Sequence, residues 1–355
     1  QGSENAGDPD TKLSTVATIE EGRDFDPRGV LATYSQHCQP STSKTSHHDP
    51  SILPGRGSLL PVNFGCKWDP VNYSCAYDCV FTAFTWIYLH ATRSWQEKWA
   101  RESLMAGFLS IHFKNVLSGL SGPTPIHTVP ALFAKGRDTW RDQLSHHSPA
   151  DFPRRGPEYA SVTRILEVLA DNRSPSHYAK IVLSCGTAGC SLRMKNLEAK
   201  YYMLTPLDWS TSTGTTTSPH HESLEVWIKK HYSSPDLTKT ADRCVRCQQR
   251  FSRRLVFLRP TWIWVEVFPE FGDVIIPALK ISLGSATLRL ATVIYHNGNH
   301  YRACLCDPSE AWWFYDGQQD GGRPTPLSKV TDERDLLQCG SKFNVTALVY
   351  CLVDR

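Results

Sequence analysis

Three residues far apart in the chain are of the types that nucleophilic acyl transfer requires. Cys75 sits in Asn72-Tyr73-Ser74-Cys75-Ala76-Tyr77-Asp78-Cys79, where Asn72 and Ser74 can cap a helix predicted by the apolar run that begins at Cys75. A cysteine in the first turn lies at the positive end of the helix dipole, which favours the thiolate and predicts a lowered thiol pKa. A small core residue is the equal alternative for that position taken alone. A thiolate nucleophile needs a histidine to share its proton, and the histidine needs an acceptor to set its tautomer. His300 opens one expected strand and Asp316 closes the next, so a hairpin would bring the pair together. His296, ahead of an Asn-Gly turn, is the competing histidine and is expected to face solvent.

A second chemistry is carried by Cys185-x4-Cys190 and Cys244-x2-Cys247. Two chelating pairs brought together at strand ends suit a structural zinc, and four thiolates leave no open position for water. Free thiols, a disulfide, or a site that uses His220 or His221 are the other readings of these residues. Arg243, Arg246, Arg250, Arg253, Arg254 and Arg259 cluster around the second pair, either as a solvated face or as a contact for an acidic partner.

The elements that must position these groups follow from periodicity. From Cys75 to His90 nearly every residue is apolar or small, as in a helix buried on all sides. Helical spacing continues through Trp95, Trp99, Leu104, Phe108 and Ile111, a third helix is expected over 130–144, and Val162, Ile165, Leu166 and Leu169 mark a fourth. After Ala179 the period becomes strand-like, with strands expected over 180–184, 200–204, 224–228, 255–258, 262–268, 274–283, 288–296, 301–305, 312–315 and 345–353. Helices first and antiparallel strands after them argue an α+β fold with two lobes. The Thr- and Ser-rich stretch 206–222 reads as a mobile loop. Residues 1–58 lack a periodic apolar pattern and read as a disordered tail, with the ordered domain spanning 59–355.

Composition bounds the rest. A net charge of +3 on 355 residues excludes a polyelectrolyte that binds nucleic acid by bulk charge, and nucleic acid is not an expected partner. Hydrophobic content of 40% with 11 Trp can fill a large core. No window approaches the roughly 18 apolar residues of a membrane span, and no signal peptide is visible. The 12 cysteines of so long a chain suit reduced thiols and an intracellular setting, in cytoplasm or nucleus. No organic cofactor is expected.

Cys75-Ala76-Tyr77-Asp78-Cys79-Val80-Phe81 resembles the cysteine box of the ubiquitin-specific proteases, closest to the branch that acts on SUMO. Trp68 stands upstream, as an aromatic does in that branch. The run from Ala291 to Ala303, followed by Trp312-Trp313-Phe314-Tyr315-Asp316, resembles the family's histidine box, and Trp262–Val267 with Val274-Ile275-Ile276-Pro277 its core strands. The resemblance covers roughly 65–355 sparsely, and the two boxes carry most of it. It implies a papain-like cysteine protease fold with a helical lobe at about 75–175 and an antiparallel β lobe at about 179–355, the latter bearing a zinc-finger-like β insertion. It further implies Cys75 as nucleophile, His300 as base, Asp316 as orienting acid, and ubiquitin or a ubiquitin-like modifier such as SUMO as partner. Three positions depart from the family: Asn299 replaces a Gly, Gly317 a second acid, and Pro70 the oxyanion Asn, for which Asn72 is the nearest substitute. These departures sustain a rival reading, an inactive zinc-finger pseudo-protease that binds a modifier or nucleic acid.

Overall fold

The computed structural model describes residues 64–123, 125–170, 179–185, 187, 190, 194–199, 203–204, 222–229, 239–257, 260–267, 275–327, 330, 332–339 and 343–352. The expected tail, and the Thr/Ser-rich loop apart from Glu222, lie outside them. Residues 56–355 group as one unit by their internal contacts.

Five helices come first: α1 (Cys75–His90), α2 (Arg93–Trp99), α3 (Leu104–Leu120), α4 (Pro125–His147) and α5 (Val162–Ala170). Helix α1 buries every residue from Cys75 to Tyr88, because α3, α4 and α5 pack on it from one side and the sheet from the other. Its sequence is apolar all round for that reason, and each large side chain so buried contributes about 1.5–3 kcal/mol. Thr92 and Ser103 cap α2 and α3 by accepting from the Trp95 and Ala106 N–H groups. Helix α4 starts a turn earlier than expected and carries Pro130 inside it. Pro130 is exposed, so the carbonyl it leaves without a helical donor can be hydrated.

The β region comprises β1 (Ala179–Cys185), β2 (Met194–Ala199), β3 (Met203–Leu204), β4 (Glu222–Ser223), α6 (Leu224–Ile228), β5 (Lys239–Arg243), β6 (Arg250–Phe257), β7 (Trp262–Glu266), β8 (Ile275–Ile276), β9 (Lys280–Leu283), β10 (Ala286–His296), β11 (Tyr301–Cys306), β12 (Trp312–Tyr315), β13 (Thr325–Pro326), α7 (Asp335–Gln338) and β14 (Asn344–Leu352). An eight-stranded sheet runs β13-β12-β11-β10-β14-β7-β3, with β9 also paired to β10. It is antiparallel except at β3 and β7. A separate four-stranded antiparallel sheet runs β2-β1-β6-β5.

The large sheet is covered on both faces. Trp262, Trp264, Ile294, Ala303, Leu305, Tyr315, Ala347 and Val349 share a core with α1. Their alternating neighbours Ile263, Val265, Val293, Tyr295, Cys304, Leu348 and Tyr350 share another with Leu224, Ile228 and Leu336. Two buried faces make these strands read as continuous apolar runs.

Three expectations change. Residues 224–228 are a helix, not a strand: Leu224 and Ile228 are buried one turn apart while Val226 is 52% exposed, a helical spacing too short to read in sequence. The expected 274–283 strand breaks at Pro277, which has no N–H for a ladder, into β8 and β9. Strand β5 carries charged and small residues, and the two large apolar residues of β2, Met194 and Leu197, stand three apart, so neither strand offers an apolar alternation to find.

Candidate active site and metal centre

Cys75 is the first residue of α1 and is 3% exposed. The loop before it is fixed by its own side chains. Asp69 accepts from the Val71 and Asn72 N–H groups at 3.0 and 3.3 Å and from Asn72 Nδ2 at 2.6 Å. Asn72 Oδ1 accepts from the Gly156 N–H at 3.0 Å, and its carbonyl accepts from buried Arg141. Tyr73 takes a left-handed φ of 43° to close the turn, and its ring packs on Tyr159 at 4.7 Å. Asn72 therefore spends both ends of its amide on holding this loop, and its expected oxyanion role finds no support in that arrangement.

Ser74 occupies the cap position but makes no side-chain cap, a correction to the expectation. Its hydroxyl accepts from the Asp69 N–H at 2.8 Å and donates to Asp78 Oδ2 at 2.6 Å. Asp78 also pairs with Arg137 of α4 at 2.8 Å, and Arg137 donates to the Lys67 carbonyl. Burial pushes the Asp78 carboxyl up to about 6, against the pull of Arg137. Neither Asp78 nor Arg137 was identified as a site residue from sequence, since a buried ion pair between distant helices leaves no local pattern.

The Cys75 thiol is the second correction. Backbone N–H groups of Cys75, Ala76 and Tyr301 do face the sulfur and favour the thiolate, but burial outweighs them and pushes the thiol up to about 11. A proton acceptor close by is then a requirement for thiolate formation at neutral pH.

The β10–β11 hairpin carries the histidine expected in that role. His296 pairs with Tyr301 across the turn, Gly298 takes φ 91°, and Asn297 Oδ1 accepts from the His300 N–H at 2.9 Å. His300 thus stands immediately ahead of Tyr301, whose N–H faces the Cys75 sulfur. In the next pairing Ala303 lies opposite Tyr315, which leaves Asp316 level with the start of β11. His300 Nε2 is 2.8 Å from Asp316 Oδ1. A carboxylate only accepts, so Nε2 carries the proton and Nδ1 offers its lone pair. That Nδ1 is buried without a hydrogen-bond partner. Trp68 and Phe343 flank the imidazole edge-on at 6.2 and 6.4 Å. His296 instead stacks on Tyr301 at 4.2 Å.

Burial works against the Asp316 charge, yet the bonds from His300 and the Gln318 N–H, with the Arg302 guanidinium, hold its carboxyl below the usual range. Arg302 Nε lies 2.8 Å from Asp316 Oδ2; its part was not foreseen from sequence. The Gly at 317 has a steric reason. A Cβ there would lie 3.1 Å from Tyr315 Oη and 3.3 Å from the Cys66 carbonyl and Trp68 nitrogen, so a second acid would need these neighbours to give by a few tenths of an ångström.

The four expected metal-ligating cysteines converge at one end of the small sheet. Cys185 ends β1, Cys244 follows β5, and Cys247 turns the chain into β6. The sulfurs of Cys185, Cys190, Cys244 and Cys247 all lie within 4.8 Å of one another, with Cys185–Cys247 at 3.1 Å and Cys190–Cys244 at 3.6 Å. Four sulfurs about 2.3 Å from one tetrahedral zinc stand about 3.8 Å apart, so the cluster is compatible with that ion. The Thr187 hydroxyl, then the Cys185 thiol and the Gln249 N–H, pull Cys247 down to about 6, which favours a ligating thiolate. No disulfide joins any of the described cysteines. No helix among the described residues is long and apolar enough to cross a membrane.

No family model matches the chain, and no curated protein matches it. Solved structures do. A chain from the SAGA DUB module Ubp8/Sgf11/Sus1/Sgf73 bound to monoubiquitin superposes with a TM-score of 0.53 at 10% identity, over 92% of this chain and 75% of that one. The same module bound to ubiquitin aldehyde gives 0.50 at 12% identity, with 92% and 75% covered. The mixed arrangement of helices and antiparallel sheet is thus similar to a deubiquitinase fold.

Proposed function

We propose that this chain is a cysteine-type deubiquitinase, a thiol isopeptidase that frees ubiquitin from its conjugates. One observation carries the reading. The lone-pair nitrogen of His300, fixed by Asp316, is buried beside the residue whose N–H faces the Cys75 sulfur, on a fold similar to a ubiquitin-bound DUB module. His300 Nδ1 takes the Cys75 proton, and the thiolate attacks the carbonyl of the modifier's C-terminal residue. The oxyanion is held by the Cys75 backbone N–H, with Asn72 shaping the loop beneath it. The imidazolium then protonates the departing lysine amine as the tetrahedral adduct collapses to a thioester. His300 next deprotonates a water, which attacks the thioester and returns the Cys75 thiol with a free modifier carboxylate.

In this reading the helices and the large sheet form the two lobes of a papain-like catalytic domain spanning 59–355, and the small sheet is its finger. Cys185, Cys190, Cys244 and Cys247 would hold one structural zinc, which supplies folding energy rather than chemistry. In this reading the chain works in a reduced, intracellular setting, where its thiols stay unpaired.

A second reading, an inactive relative that binds a modifier, is favoured by the burial of Cys75 at 3% exposure. Hydrolysis of ubiquitin and SUMO carrying C-terminal fluorogenic amides separates the readings. Turnover of the ubiquitin substrate, lost in Cys75→Ala with binding retained, is expected. Turnover of SUMO alone would move the substrate to that modifier, and binding without turnover of either would establish the inactive relative.

A further inference from the structure

Arg302 follows Tyr301 on β11, and its side chain turns back towards Asp316. The division of the carboxylate is specific. Oδ1 takes His300 Nε2 at 2.8 Å and the Gln318 N–H at 2.9 Å, while Oδ2 faces Arg302 Nε at 2.8 Å. The Asp316 side chain is 1% exposed and that of Arg302 is 23% exposed, so the guanidinium stands between the buried carboxylate and solvent. It also lies 4.0 Å over the Phe343 ring, and that ring meets the His300 imidazole edge-on. Nε stands at ion-pair distance but off the hydrogen-bond line, so charge rather than a donor fork makes the contact.

We propose that Arg302 is a positioning residue for the Cys75–His300–Asp316 group, holding Asp316 Oδ2 so that Oδ1 is presented to His300 and drawing part of the carboxylate's charge away from the imidazole. The inference rests on the hydrolase reading for its consequence but on geometry for its substance. A carboxylate given wholly to His300 would over-stabilise the imidazolium and make it slow to release its proton to the leaving amine; a carboxylate shared with a cation does so less. Of the other titratable groups nearby, His296 at the end of β10 interacts with His300, Cys79 of α1 with Asp316, and Tyr301 of β11 with Cys75 and Cys79. None of them replaces the Arg302 cation on Oδ2.

The test is a titration of the His300 ring by NMR in the full chain carrying Cys75→Ala, with labelled histidine and His300→Gln to identify the resonance. Arg302→Met should raise the His300 pKa by about half a unit or more, and Arg302→Lys should restore most of it. Phe343→Leu, which removes the ring but not the charge, should leave it in place. In the chain with Cys75 intact, Arg302→Met should lower kcat about tenfold with KM unchanged, since the effect lies in the chemical step. Should Arg302→Met fail to fold, Arg302→Gln takes its place. An unchanged His300 pKa in the folded variant, or Arg302→Lys behaving as Met does, would overturn the proposal. The titration needs no turnover, so a failure of the hydrolase reading and a failure of this one are read separately.

Discussion

At the scale of the residue, burial and hydrogen bonding pull Cys75 in opposite directions, and burial wins. Three N–H groups face its sulfur, yet the thiol stands near 11. A thiol that high is a negligible thiolate at pH 7 without a proton acceptor, so in the proposed reading reactivity belongs to Cys75 and His300 together. Iodoacetamide labelling of Cys75 at pH 7 should therefore fall at least about tenfold in His300→Ala, and labelling should recover as the pH rises toward 11. Labelling that ignores His300 would mean the two do not share a proton. Asp316→Asn should cost less kcat than His300→Ala, because a mis-set tautomer still leaves a usable base in part of the molecules. Residue types and order were legible at this scale: Cys75, His300 and Asp316 stood out before any geometry. The thiol's pKa was not, because it depends on how deeply the first turn of α1 is buried, and that is decided by α3, α4, α5 and the sheet together.

At the scale of the element, α1 is held by more than its apolar surface. Asp78 reaches back to Ser74 and across to Arg137 of α4, inside a core where a lone charge is costly. Arg137→Met should cost about 3–5 kcal/mol in denaturant unfolding, because it leaves a buried carboxylate without its cation. Adding Asp78→Leu should recover a large part of that loss; a strictly additive double variant would show the pair is not coupled. The sign with pH follows from the same burial. A carboxyl whose folded pKa is raised to about 6 contributes stability below its unfolded value, and that contribution is lost as the pH rises through 6. The unfolding free energy of the wild type should accordingly decline between pH 4 and 7 relative to Asp78→Asn. Long apolar elements such as α1, β10 and β14 were readable from pattern. Helix α6 was not, since five residues hold barely one period and Leu224-Glu225-Val226 alternates as a strand would. Strands β2 and β5 belong to the small sheet, at one end of which the four cysteines converge.

At the scale of the whole molecule, the chain divides its labour between two sheets. The large one carries His300 and Asp316 to α1, and the small one gathers four cysteines away from them in sequence. Elemental analysis should give one zinc per chain. Cys247→Ser should release it and weaken ubiquitin binding more than it slows Cys75 alkylation, because in the proposed reading the ion couples to the fold of the small sheet and not to that of the large one. Full affinity in metal-free protein would return these cysteines to free thiols. Removing residues 1–55 should leave activity within about twofold, since that stretch has too few apolar groups to join a core. The order of helices before antiparallel strands announced the architecture. Which modifier fits is a property of the assembled surface, and no local pattern encodes it.

The most direct test of the account is reaction of the full chain with ubiquitin bearing a C-terminal electrophile, read as intact mass and followed by peptide mapping. The account predicts one adduct of ubiquitin mass, carried by the peptide that contains Cys75 and absent from Cys75→Ala. An adduct on another cysteine, or none from a folded chain, would contradict it.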